Sequence, residues 1–294
     1  MAFSLDNQIS VKAQVAPEVF EEAIEKVDSL KYFTYVPAKS TKVSLPKIGK
    51  GDDAFLQADG RDCDWDPTES LVLDEKEVDL DPVKINLEIC GAKLDSLMNI
   101  EAFNAKKYGE VSPTEEQLVL NFSKKAIAAE IDAKVWGQVV TEATSDADLN
   151  KVTGTTITSS NALDEVEKVV AAIPDAVYSN DDIKVFMSTG DYRKFRQALS
   201  GAATVQNALL PRYSVVDGKT YIDGVIEVVP CGIASGKMFA AAKNNIALAS
   251  NILEDGSLDA GMGATPKDKN ILYINGAFGV IASYVSSAEA VLYA

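Results

Sequence analysis

Asp62, Asp64 and Asp66 are spaced D-x-D-x-D, the opening of a calcium loop in which alternate carboxylates converge on one hard cation. Such a loop also needs glycine at its sixth position and an acidic ligand at its twelfth, where this chain has Pro67 and Leu73. The segment therefore reads as a solvated acidic loop. Gly232 to Lys237, G-I-A-S-G-K, approaches a phosphate-cradling loop. It is one residue too short between its glycines, and Met238 stands where a Ser or Thr would hold magnesium. It reads as a turn between two strands. Gly261-Met262-Gly263 is a lone G-x-G with no helix after it, which is weaker still as a nucleotide signal.

Acid–base chemistry finds no better footing. Glu130 with Asp132 on the predicted helix, and the direct neighbours Asp181 and Asp182, point different ways and read as surface charges. Histidine is absent, which removes the commonest general base, the Ser-His and Cys-His nucleophile pairs and most zinc sites. Cys63, Cys90 and Cys231 are odd in number and widely spaced, the pattern of reduced cytoplasmic thiols rather than a disulfide framework. Lys124 and Lys125, and the Arg193-Lys194-Arg196 cluster, are the basic concentrations. They read as a solvated helix face or as partners for an acidic loop of a neighbour. Trp65 and Trp136 read as contact or core residues. No catalytic residue, cofactor site or metal site is expected.

Composition narrows the class. The 294 residues carry a net charge of −16, with 47% hydrophobic and 24% charged residues, the profile of an ordinary globular chain long enough for two lobes. That charge, with a pI near 4.5, argues against nucleic-acid binding by the whole surface, though a local basic patch stays compatible with it. No apolar run approaches the ~18 residues that span a bilayer, and Met1 to Ser10 lacks the pattern of a signal peptide.

The element that must organise the chain is Ser112 to Val140, which reads as one long helix. Ser112, Pro113 and Glu115 form its capping signature, and no glycine or proline interrupts it before Gly137. Ile127, Ile131, Val135 and Val139 step by four along one face, Leu118 and Phe122 share another, and Lys124, Lys125, Glu130, Asp132 and Lys134 are left to solvent or partners. Upstream, Met1 to Gln14 reads as an arm, Pro17 opens a short amphipathic helix, and Tyr32 to Val36 reads as a strand. Val43 and Leu45 share a strand face, and Val83, Ile85, Leu87 and Ile89 alternate as a strand buried on one side. Asp52 to Asp81 between them is acidic and poor in core residues. It reads as a hairpin-like excursion that gains burial only by lying on something else, such as a neighbouring subunit.

Downstream, Thr141 to Ser160 reads as a connector and Asn161 as the cap of a helix ended by Pro174. A strand over Ile183 to Met187 and a helix through Tyr192, Phe195 and Leu199 follow. Gly201 to Leu210 reads as a mobile loop, Asp217-Gly218 as a hairpin turn, and Val225 to Val229 and Met238 to Ala242 as buried strands. Asn245 to Leu253 reads as a short helix. Ile271 to Ile274, Phe278 to Val285 and Val291 to Tyr293 read as three closing strands.

In this order of elements the chain resembles the major capsid proteins of tailed bacteriophages, the Hong Kong 97-type fold. Two stretches carry the resemblance locally: I-K-V-F-M-S-T-G-D-Y-R-K-F-R-Q-A-L, Ile183 to Leu199, and V-D-G-K-T-Y-I-D-G-V-I-E-V-V-P-C-G-I-A-S-G-K-M-F-A-A-A-K-N-N-I, Val216 to Ile246. The resemblance implies an α+β fold with an arm at 1–40, an extension loop at 41–90, a spine helix at about 112–143, a peripheral domain from 91–155 and 251–294, and an axial domain at 156–250. It implies a structural subunit, not an enzyme, that self-assembles into pentamers and hexamers of an icosahedral head enclosing double-stranded DNA. A separate scaffolding protein, a portal and a decoration protein are its expected partners, with no membrane. Its place is the virion, after assembly in the host cytoplasm. No Lys–Asn crosslinking pair is matched. The alternatives are an encapsulin-like compartment shell or, from another class, a histidine-free α/β enzyme or soluble binding module.

Overall fold

The structure is a computed structural model that describes residues 29–39, 41–50, 71–90, 115–178, 182–205, 212–251, 257–263 and 271–294. A 3-10 turn at Leu30–Tyr32 leads into β1 (Thr34–Pro37), β2 (Lys42–Lys50), β3 (Leu71–Asp79) and β4 (Asp81–Cys90). Helix α1 (Glu115–Ser145) is followed by β5 (Asn150–Val152), α2 (Ala162–Ala171) and the single turn α3 (Asp175–Tyr178). Then come β6 (Ile183–Ser188), α4 (Thr189–Val205), β7 (Tyr213–Val216), β8 (Lys219–Ile222), β9 (Ile226–Cys231) and β10 (Met238–Ala242). The chain closes through β11 (Ile246–Ser250), β12 (Ser257–Gly263), β13 (Ile271–Tyr284) and β14 (Ala290–Tyr293).

A seven-stranded mixed sheet in the order β5-β14-β10-β6-β9-β8-β7 forms the main body. Its strands alternate between two apolar layers. Ile183, Val185 and Met187 of β6 and Met238, Ala240 and Ala242 of β10 face α2 and α4, with Val166, Val169, Val170 and Phe195. Phe186 and Phe239, one residue out of phase, face α1 on the opposite side. There Trp136, fully buried, meets the rings of Phe186 at 4.5 Å, Phe33 at 5.2 Å and Phe239 at 6.4 Å. Ile127, Ile131, Val135 and Val139 line the same layer, so the four-residue step read from the sequence is the buried face.

The second sheet is five-stranded and closes over α1 from another side. Strand β13 pairs antiparallel with β4 from Ile271 to Val280, with β12, and with β11, which carries β1 in parallel at its edge. The third sheet is the β2–β3 hairpin, in register from Lys42↔Asp79 to Lys50↔Leu71.

Several expectations need correction. Residues 246–250, within the short helix read at 245–253, form β11, because a strand covered on both sides needs no polar alternation. Helix α4 runs through 201–205, read as loop; residues 206–210 are outside the described residues. The two strands read at 271–274 and 278–285 are one, β13. Residues 71–79, placed in the core-poor excursion, are β3, whereas β4 belongs to the five-stranded sheet and not to the hairpin. Asn161 does precede α2, but its Oδ1 accepts from Thr158 N–H at 2.7 Å and Thr158 Oγ at 2.9 Å, so it folds the preceding turn rather than capping the helix. The Asp217-Gly218 turn has φ of 50° and 79°, the paired left-handed geometry that joins β7 to β8 with matching twist. The arm, the Pro17 helix, the Ser112 cap and Asp62, Asp64, Asp66 and Trp65 lie outside the described residues.

Candidate functional site

Spacing by four also organises a polar edge of α1. Lys134, Gln138 and Glu142 fall in line along the helix and meet three strands in turn. Lys134 Nζ lies 2.6 Å from Asp81 Oδ2 at the start of β4. Gln138 Nε2 donates to the Val280 carbonyl at 3.1 Å, and its Oε1 accepts from Ala282 N–H at 3.1 Å, so one amide stitches α1 to β13. Glu142 accepts from Ser283 Oγ at 3.0 Å and pairs with Lys76 Nζ of β3 at 2.6 Å. The sequence left Lys134 to solvent or a partner, which is Asp81, and gave no reading of Gln138 or Glu142. The available signal was three long polar residues at i, i+4 and i+8 beside the apolar stripe.

The hairpin base rests on this edge. Val43, Leu45 and Leu80 are buried against Ala38, Ala247 and Ala249, with Val36, Val78 and Ile281 packed alongside. Lys76 completes the contact: besides Glu142, its ammonium donates to the Tyr284 carbonyl at 2.6 Å and lies 4.0 Å from the Tyr284 ring centre. Tyr284 Oη donates to Asp146 Oδ2 at 2.6 Å. That bond holds the Asp146 carboxyl below its ordinary pKa, while burial and then the carboxylate push the phenol up. The arrangement fastens a two-stranded ribbon to a rigid strut by its root. At the other end of the main sheet β7 is an edge strand, with Val215 and Val216 more than half exposed.

The G-I-A-S-G-K stretch is the connection between β9 and β10, and it already holds an anion of its own. The carboxylate of fully buried Asp191 accepts from Gly236 N–H at 2.8 Å, Ser235 Oγ at 3.0 Å, Ser188 Oγ at 2.7 Å and Lys194 Nζ at 2.8 Å. Burial acts to raise its pKa, but the donors from Lys194, Gly236, Ser188 and Ser235 outweigh burial and the net direction is down. On the other side of this connection a Cβ on Gly232 would sit 2.7 Å from Asp132 Oδ2, so only glycine lets the loop lie against α1. Asp132 accepts from Ser29 Oγ at 2.6 Å, and Ser29 Oγ accepts from Trp136 Nε1 at 3.1 Å. Asp132 is therefore no surface charge. Burial without a paired cation among the described residues raises its pKa, against the hydrogen bonds from Ser29, Gly232 and Trp136.

The remaining expected positions separate. Arg193 and Arg196 are exposed on α4, but Lys194 is turned in, donating also to the Ile157 carbonyl at 2.9 Å. Glu130 and Asp182 are exposed; Asp181 is outside the described residues, as are the side chains of Lys124 and Lys125. Gly261 to Gly263 lie in β12 paired to β13, which is a strand and not a phosphate turn. Cys231 is buried and its thiol is pushed well up by burial; Cys63 and the Cys90 side chain are outside the described residues. Glu227, buried, gathers Tyr32 Oη at 2.8 Å, Lys219 at 2.9 Å and Lys184 at 3.1 Å, a network that ties the first residues described to the main sheet. Among the described residues no three Cys, Asp or Glu side chains are placed to hold a metal, and no helix is long and apolar enough to cross a membrane.

No protein-family model matches the chain, and no curated protein matches it in sequence. Solved structures do resemble it. One is a satellite phage P4 procapsid structure, at 14% identity, with 94% of this chain and 98% of that one covered and a TM-score of 0.58. A virus-like particle from Pyrococcus furiosus matches at 10% identity over 96% of this chain and 98% of that one, with a TM-score of 0.55. The SrpI encapsulin complex from Synechococcus elongatus matches at 11% identity over 90% and 85%, with a TM-score of 0.50. Over nearly its whole length the chain thus has the capsid-shell fold that these structures share.

Proposed function

We propose that the chain is the repeating structural subunit, not an enzyme, of an icosahedral phage head of the Hong Kong 97 type, and that it self-assembles into pentamers and hexamers around double-stranded DNA. The observation that carries this is the match of 94% of the chain to 98% of a phage procapsid chain. The β2–β3 hairpin supports it, since a two-stranded ribbon is marginal alone and gains by lying on another subunit. In this reading residues 1–40 form an arm and 41–90 an extension loop. The spine helix of 112–143 sits in a peripheral domain of 91–155 and 251–294, and 156–250 form the axial domain. A separate scaffolding protein, a portal and a decoration protein are its partners, with assembly in the host cytoplasm and the virion as its final place. The net charge of −16 suits a wall that repels packaged DNA rather than holding it.

Electron microscopy of the purified protein tests the reading: closed shells or ring-shaped capsomers are expected, and a monomer at high micromolar concentration overturns it. A second reading, a compartment shell around a protein cargo, is favoured by the likeness to the encapsulin complex. Shells isolated from the native source separate the two by content, DNA against protein.

A further inference from the structure

Opposed residues of an antiparallel pair share a face, so Val43↔Val78 and Leu45↔Lys76 point the same way, onto the body. The apolar members of that set hold the root by burial, which is strong but has no preferred direction. Lys76 adds direction. Its ammonium meets Glu142 at 2.6 Å, the Tyr284 carbonyl at 2.6 Å and the Tyr284 ring at 4.0 Å, so three groups fix one nitrogen. Glu142 lies in the last turn of α1, where the helix dipole also favours a cation. Lys76 and Glu142 are both under one-third exposed, so solvent screens the pair less than a surface one.

Beyond Leu45↔Lys76 the hairpin continues from Pro46↔Glu75 to Lys50↔Leu71, on the order of 17 Å of lever at the strand rise. A tilt of about 10° at the root would move that end by roughly 3 Å, more than half the spacing between paired strands. Within the hairpin, Ser44 Oγ donates to Glu75 at 2.7 Å, and Lys42 faces Glu77 at 4.0 Å; such bonds brace the ribbon without setting its angle to the body.

We propose that Lys76 is the positioning residue that aims the β2–β3 hairpin relative to α1, and so sets where the extension loop of one subunit meets the next. This rests on the reading of the hairpin as part of an extension loop that lies on a neighbouring subunit. The test uses the full chain with Cys63 and Cys90 replaced by Ser, and spin labels at Lys47→Cys on β2 and Glu130→Cys on α1. The distance between labels is measured for the otherwise unsubstituted chain, Lys76→Met, Lys76→Arg and Glu142→Gln, alongside melting and electron microscopy. Lys76→Met keeps the apolar stem and should shift or broaden the distance distribution and abolish closed shells. Lys76→Arg should restore both, and Glu142→Gln should fall between. A distribution unchanged in Lys76→Met overturns the proposal, whatever happens to melting, because a merely structural lysine would change only the latter. A shifted distribution with normal shells overturns it as well. If the unsubstituted chain forms no shells while Lys76→Met still moves the hairpin, the aiming role stands and the shell reading falls.

Discussion

The main body and the hairpin are held by different physics. The central strands of the seven-stranded sheet are buried on both faces, and buried carboxylates of the main body find their partners inside the chain: Asp191 has four donors, Glu227 two lysines and a tyrosine. The hairpin shares a small apolar patch and one clustered lysine with the body, and its strands run on past them. A region that satisfies itself makes a stable subunit. A region that does not is where a second copy can add free energy.

The hardest blow to that contrast falls on the body. Ile131→Asp should leave no folded soluble protein, since an unpaired carboxylate beside Val135 and Trp136, added to the lost apolar packing, costs on the order of 5 kcal/mol or more, the scale of a domain's whole stability. Lys134→Ala, one turn on, should fold and lose no more than about 1 kcal/mol from its half-exposed pair with Asp81. Equal soluble expression of the two would break the contrast.

Replacing residues 51–70 with a short Gly-Ser link is the converse change. The root contacts of Val43, Leu45, Lys76, Val78 and Leu80 all remain, so melting should move by only a few degrees while shell formation stops. Shells that still close by electron microscopy would mean that the outer part of the extension loop makes no contact that assembly needs.

Acid sharpens the comparison inside the body. Glu165 has burial raising its pKa, but Lys168, Tyr293 and Thr155 pull it down to about 2. A depressed pKa contributes stability that is present above the ordinary value of 4.5 and is lost as pH falls toward 2. Asp132 has the opposite sign. Its raised pKa means that the folded chain binds the proton more tightly, so its ionised form costs stability at neutral pH and the cost fades on acidification. Glu165→Gln should therefore melt below the parent at pH 7 and converge with it in acid. Asp132→Asn should melt above the parent at pH 7, and that gain should shrink as pH falls. Melting curves from pH 7 to pH 3 decide both; a gain for Asp132→Asn that grows in acid reverses the assignment.

The smallest expected effect concerns α4. Arg193→Glu with Arg196→Glu should slow assembly at low ionic strength and leave melting unchanged, because exposed cations steer encounters more than they hold contacts. Lys194 is left alone, since it supports Asp191. Light-scattering kinetics that are identical across a salt series would retire the steering role.

What the sequence made legible follows periodicity. The four-residue step of Ile127, Ile131, Val135 and Val139 gave the buried face of α1, and the alternation of Val83 to Ile89 gave β4. Strand β11 was misread because Ile-Ala-Leu-Ala carries no polar beat once β1 and β13 flank it. The Lys134–Gln138–Glu142 edge and the Lys76 cluster were hidden for another reason. Their partners, Asp81, Val280 and Tyr284, are 53 to 208 residues away in sequence, and pairing at that distance leaves no local signature.

Strand β14 lies between β5 and β10 in the interior of the main sheet, and Tyr293 at its end donates to Glu165 at 2.7 Å and to the Thr155 carbonyl at 2.9 Å. Residues 290–293 must therefore have been made before β10 has its second neighbour and Glu165 its phenol. Until then the sheet offers an open seam to any other nascent chain. Closure of the main sheet therefore waits on a strand made long after the helices and strands that it completes.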